Sequence, residues 1–112
     1  MSDLTNKNIA IISTDGFEDS ELTSPKEAVE AAGATTKVIA TESGEIEGKK
    51  GAKVAVDLTT ADANVEDYDA LILPGGTVNA DTIRTDKDAV ALVKGFVDAG
   101  KPVGVICALI DI

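Results

Sequence analysis

The sequence predicts a single α/β domain in which helices cover a mostly parallel sheet. Three observations carry that prediction. Short, continuous aliphatic runs such as residues 8–13 read as strands buried on both faces. These runs alternate with helical patterns, which implies parallel pairing through right-handed crossovers. The chain is 44% hydrophobic yet has only two Phe and one Tyr, so its core is built from Ala, Val, Ile and Leu. At 112 residues it forms one domain at most, spanning residues 1–112. A chain of this size buries roughly 65% of its unfolded surface, enough for one modest core.

The elements follow in order. Residues 8–13 form the first strand, and Thr14-Asp15-Gly16 breaks it. Ser24-Pro25-Lys26-Glu27 reads as an N-cap serine, a proline at the first helical position and a glutamate closing a capping box. Ala28, Val29, Ala31 and Ala32 continue that helix to a stop at Gly33. Residues 35–40 are the second strand. In the polar stretch 41–51, Ile46 pairs with the run 54–56 as a two-stranded arm, with a solvated loop as the alternative. Residues 64–69 form an acidic helical turn, and 70–73 a third strand ending in Pro74-Gly75-Gly76. A helical turn covers 79–84. Asp86 caps a last helix whose apolar stripe is Val90, Leu92, Val93 and Phe96, and Gly100 ends it. Residues 102–106 are the fourth core strand and deliver the only cysteine, Cys107.

Charge and cysteine usage exclude several functions. Twenty acids against ten bases leave a net charge of −10. That argues against nucleic-acid partners, which call for a basic footprint, and against anionic membrane surfaces. One cysteine forbids an internal disulfide and fits a reducing, cytoplasmic setting. The first residues lack a signal-peptide pattern, and no apolar run approaches the ~18 residues of a membrane span.

In an open parallel sheet, sites lie beyond the carboxyl ends of the strands. Three segments arrive there: residues 15–21 after the first strand, Pro74-Gly75-Gly76-Thr77 after the third and Cys107 after the fourth. A cysteine at a strand-to-helix turn faces the cleft, where N–H groups and a helix's positive end favour thiolate. Gly75 and Gly76 have no side chains, so their N–H groups can approach a ligand and hold an oxyanion. Glu21 or Glu18 supplies a carboxylate that hydrogen-bonds sulfur or exchanges protons. Each feature also has a plainer explanation: a buried small hydrophobe, a simple turn, acids favoured by a helix dipole. A phosphoacceptor receiver domain is rejected, because the third strand ends in Leu73-Pro74 rather than Asp and Lys101 begins its strand.

Three ordered stretches resemble the PfpI family of intracellular cysteine proteases, which sits with the parkinsonism-associated deglycase and the class I glutamine amidotransferase-like proteins. They run from Asp15 to Pro25, from Asp67 to Gly76 and from Gly100 to Cys107. The resemblance covers about residues 7 to 107. It implies a flavodoxin-like three-layer α/β sandwich with a mostly parallel central sheet, incomplete at its C-terminus. It also implies a dimer or larger homo-oligomer, no metal, no organic cofactor, and peptide or glycated-adduct substrates. By the same resemblance Cys107 is the nucleophile and Glu21 the acid bonded to its sulfur. Glu18 is a neighbouring acidic position, Gly76 the oxyanion-side glycine, and Ala108 follows the nucleophile with its backbone N–H. The family usually reads Cys-His-Gly-Pro here, whereas this chain reads Cys107-Ala108-Leu109 and has no histidine. The expectation is a weak or inactive hydrolase-like stress protein, in which copies cannot lend one another an imidazole. The alternatives are a non-catalytic module sensing oxidation through Cys107, and a purely structural dimer-forming domain.

Overall fold

The computed structural model describes residues 4–75 and 77–106. Among these described residues, seven strands and three helices run in the order β1 (Asn8–Ile12), α1 (Asp19–Ala31), β2 (Thr35–Ala40), β3 (Glu45–Glu47), β4 (Lys53–Ala55), β5 (Leu58–Thr59), a 3-10 turn (Val65–Asp67), β6 (Ala70–Pro74), α2 (Thr77–Thr85), α3 (Lys87–Asp98) and β7 (Val103–Ile106). Five strands form one sheet in the order β5-β2-β1-β6-β7, and β3 and β4 form a separate antiparallel pair. Every pairing in the large sheet is parallel.

Side-chain alternation divides the core into two faces of that sheet. Ile9 and Ile11 of β1, Val38 and Ala40 of β2 and Ile72 of β6 point to the α1 side, with Phe17, Leu22 and Ile46. Ala10, Ile12, Ile39 and Leu71 point to the α3 side, with Ala89, Leu92, Phe96 and Tyr68. A strand covered on both faces needs no polar side, which is why these strands read as unbroken aliphatic runs. The result is a three-layer α/β arrangement around a mostly parallel sheet.

Two aspartates start strands by the same device. Asp69, just before β6, donates its N–H to the Asn8 carbonyl at 2.7 Å and accepts the Asn8 N–H on Oδ2 at 2.8 Å. Asp57, just before β5, does the same with Val38, at 2.8 Å each way. A carboxylate replaces the carbonyl that a longer strand would offer, so the backbone groups at the strand starts stay paired.

Several expectations are corrected. The first helix starts at Asp19, not at Pro25, so Ser24 and Pro25 lie inside it. Phe17 and Leu22 occupy the positions of a hydrophobic staple around the N-cap Glu18, and both are fully buried. That burial, with Asp19 and Glu21 at the positive helix end, outweighs the missing Pro25 N–H. The nine-residue α2 is longer than the turn expected at 79–84. β5, a two-residue strand on the sheet edge, was not foreseen. In α3 the buried stripe is Ala89, Leu92 and Phe96, whereas Val90 is 47% exposed. The β3–β4 arm, the Asp86 cap and the stops at Gly33 and Gly100 (φ 105° and 72°) are as expected.

Candidate active site

The carboxyl ends of β1 and β6 bring residues 13–21 against Pro74 and Gly75, and Ile106 at the end of β7 pairs in register with Pro74. The start of α1 grips Gly75 from both sides. The Glu18 N–H donates to the Gly75 carbonyl at 2.8 Å, and the Gly75 N–H donates to Glu21 Oε1 at 2.9 Å. Glu18 is the N-cap and Glu21 the third helical residue, the two positions that in a capping box bond to each other. Here Gly75 is interposed between them. The helix start and the Pro74-Gly75 turn therefore form one unit.

The Gly75 N–H thus holds Glu21 in this arrangement, and Glu21 has a structural role whatever its chemistry. The Glu18 carboxylate makes no cap bond and pairs instead with Lys49 Nζ at 2.5 Å. Of the expected site residues, the structure brings Glu18, Glu21 and Gly75 together. Gly76, Cys107 and Ala108 lie outside the described residues.

Sequence reasoning missed the arm's part in this region. Asp15 Oδ1 accepts the Glu47 N–H at 2.8 Å, Gly16 N–H donates to the Glu47 carbonyl at 2.8 Å, and Lys49 N–H donates to the Phe17 carbonyl at 3.0 Å. Asp19 takes the arm's turn in both carboxylate oxygens, from Lys50 N–H at 3.0 Å and Ala52 N–H at 2.8 Å. The Lys50 N–H, with the Ala52 N–H behind it, holds the Asp19 carboxyl below its ordinary value against the opposing effect of desolvation. Gly48 is required at the contact, because a Cβ there would collide with the Asp19 carboxylate. The available signal was charge complementarity: Gly48-Lys49-Lys50-Gly51 is a basic turn, and residues 15–21 carry four acids. Among the described residues no group of His, Cys, Asp and Glu is placed to hold a metal ion.

Three layers around a parallel sheet, with an acidic helix start clamped to a glycine turn, define an open α/β protein, the class in which the strand ends are the candidate site. The chain belongs to the DJ-1/PfpI family, whose profile matches residues 7–109. It is 44% identical over 103 residues to the candidate cysteine protease YraA of Bacillus subtilis, covering 91% of this chain and 60% of YraA. It is 41% identical over 104 residues to protein/nucleic acid deglycase 2 of Escherichia coli, with the same two coverages. Among solved structures, a ThiJ/PfpI domain protein from Brachyspira murdochii superposes with a TM-score of 0.80 at 32% identity, covering 90% of this chain and 58% of that one. Toxoplasma gondii DJ-1, in a structure described as oxidized, superposes with a TM-score of 0.83 at 25% identity, covering 91% and 56%. The chain spans about half the length of other curated relatives, 48% for an uncharacterized Staphylococcus epidermidis protein.

Proposed function

We propose that this chain carries a cysteine-centred site of the hydrolase type, with Cys107 as nucleophile and Glu21 as the carboxylate positioned for it. The observation that carries the reading is the Glu21–Gly75 bond of 2.9 Å at a turn whose preceding residue, Pro74, is in register with Ile106. Cys107 is the next residue after that strand. Peptides and glycated adducts are the substrate classes, supported by the names of YraA and of the Escherichia coli deglycase. Turnover is weak or absent, because the residue after the nucleophile is Ala108 rather than a histidine able to activate the thiol.

The same reading includes self-association into a dimer or larger homo-oligomer, a cytoplasmic setting, and no nucleic-acid or membrane partner. The net charge of −10 supports the last point. Among the described residues no helix is long and apolar enough to cross a membrane.

A second reading is oxidation sensing at Cys107. The missing imidazole favours it, because oxidation of a thiolate needs none, and the oxidized Toxoplasma relative lends support. Each step would take one oxygen from a hydroperoxide onto sulfur and release water, or alcohol from an alkyl hydroperoxide.

One experiment separates the two. Peptidase and methylglyoxal-adduct assays are run on wild type and Cys107→Ser, with mass spectrometry after mild peroxide. Turnover abolished in Cys107→Ser supports the hydrolase, and a +32 Da adduct on Cys107 without turnover supports the sensor. A thiol that is neither alkylated nor oxidised rejects both.

A further inference from the structure

We propose that the outward face of α3 is a self-docking surface, on which the α3 of a second copy of this chain packs antiparallel across a two-fold axis. The proposal rests on the reading that the chain self-associates, and it names the face.

α3 buries Ala89, Leu92 and Phe96 against the sheet. Its other side presents Lys87, Val90, Ala91, Lys94, Val97 and Asp98, all exposed. Val90 and Val97, at 47% and 61% exposure, are the large hydrophobics that stand open to solvent among the described residues. Single exposed apolar residues need no explanation. These two lie seven positions apart, about two turns along one side of the same helix.

The charges at the two ends of this face select the occupant. Lys87 is the first residue of α3 and Asp98 the last, so each stands at the helix end whose dipole disfavours it. Among the described residues neither forms an ion pair. Neighbouring charges are engaged elsewhere. Asp86 Oδ1 accepts the Ala89 N–H and the Thr60 hydroxyl, and Lys101 Nζ donates to the Val65 and Tyr68 carbonyls. Asp88 borders a cleft lined by Thr60 and Asn64.

An antiparallel second copy answers both ends at once. Opposing Val90 to Val97 of the second copy brings Lys87 beside Asp98 of that copy, and the two-fold axis repeats both contacts. Lys94 falls near the axis, where its stem extends the apolar cover and its ammonium reaches solvent. The face carries two lysines to one aspartate on a chain of net charge −10, so two acidic copies can approach there. One helix pair falls short of the roughly 1,200 Å² of a stable complex, so the dimer is weak and concentration-dependent.

Sedimentation equilibrium of the full chain over a range of concentrations is the test. Wild type follows a monomer–dimer equilibrium. Val97→Lys weakens it about tenfold or more, by placing a charge at the apolar centre of the contact. Lys87→Asp and Asp98→Lys each weaken it about tenfold, because each turns two surface pairs from attractive to repulsive. Both substitutions suit the α3 dipole better than the native residues, so loss of the helix does not explain the effect, and far-UV circular dichroism checks this. The decisive sample mixes the two variants. Lys87→Asp chains and Asp98→Lys chains together regain both pairs and associate as tightly as wild type. A mixture no tighter than its components, self-association unchanged by all three substitutions, or a mass that grows past dimer overturns this face and leaves self-association standing. A wild type that is monomeric at every concentration overturns both.

Discussion

The chain starts two of its helices in opposite ways. At α3, Asp86 caps locally: its Oδ1 accepts the Ala89 N–H at 2.8 Å, and the Thr60 hydroxyl donates to the same oxygen at 3.1 Å. At α1, Glu18 makes no side-chain cap bond, and its carboxylate goes to Lys49 on the arm. Its N–H and the Glu21 carboxylate go to Gly75, more than fifty residues away in sequence. A local cap fixes one helix end. A distributed cap fixes three segments relative to one another, which is what a site assembled at strand ends requires.

The sharpest way to break this comparison is through the staple beneath the α1 start. Phe17 is fully buried beside Leu22. Phe17→Ala should cost about 3–5 kcal/mol, the usual range for a buried aromatic. Urea unfolding measures the loss, and an effect below 1 kcal/mol would show that the helix start does not depend on the staple. The two caps can then be compared directly. Glu21→Ala removes the acceptor of the partly buried Gly75 N–H and should cost about 1–3 kcal/mol. Glu21→Gln keeps an acceptor oxygen and should recover most of that. Asp86→Ala should cost about 1 kcal/mol, a typical N-cap loss. Hydrogen exchange sharpens the contrast. Asp86→Ala should loosen only the first turn of α3 and Thr60, whereas Glu21→Ala should loosen α1 and Gly75 together.

The same contrast explains what could be read from sequence. Asp86, Gly100 and the strands 35–40 and 70–73 are legible because their determinants are local: a cap residue, a stop and a run of aliphatics with both faces covered. The start of α1 is misread because Ser24-Pro25-Lys26-Glu27 imitates a complete local signature, while the true determinants are the burial of Phe17 and Leu22 and the bonds to Gly75. β5 is missed because two residues carry no periodicity, and its place comes from Asp57 bonding Val38. Glu18, Glu21 and Gly75 were legible as a convergence at strand ends. The contacts of Lys49 and Asp19 were not, because the basic turn at Gly48-Lys49-Lys50-Gly51 matches the acids of residues 15–21 in charge alone, which does not fix where the tip of the arm folds back.

The smallest expected effect concerns that fold-back and acid. The Lys50 N–H and then the Ala52 N–H hold the Asp19 carboxyl below its ordinary value of 3.8. A group whose folded pKa is depressed binds its proton more readily when unfolded, so stability rises with pH across that window. The contribution of Asp19 is therefore fully present above the ordinary value and is lost as pH falls below it, through the lower folded pKa. In wild type and Asp19→Asn compared by urea unfolding, the stability difference should be flat from neutrality to about pH 5 and should close as the medium becomes more acidic. The Lys50 and Ala52 amides should lose exchange protection over the same range in wild type only, while the Asp86-bonded Ala89 amide, compared between the two proteins, shows no such difference. A pH-independent gap would mean that the arm is held by its backbone bonds to Gly16 and Phe17 rather than by the Asp19 carboxylate. The α1 start would still join three segments, with the arm tied to it by backbone bonds and by Glu18–Lys49.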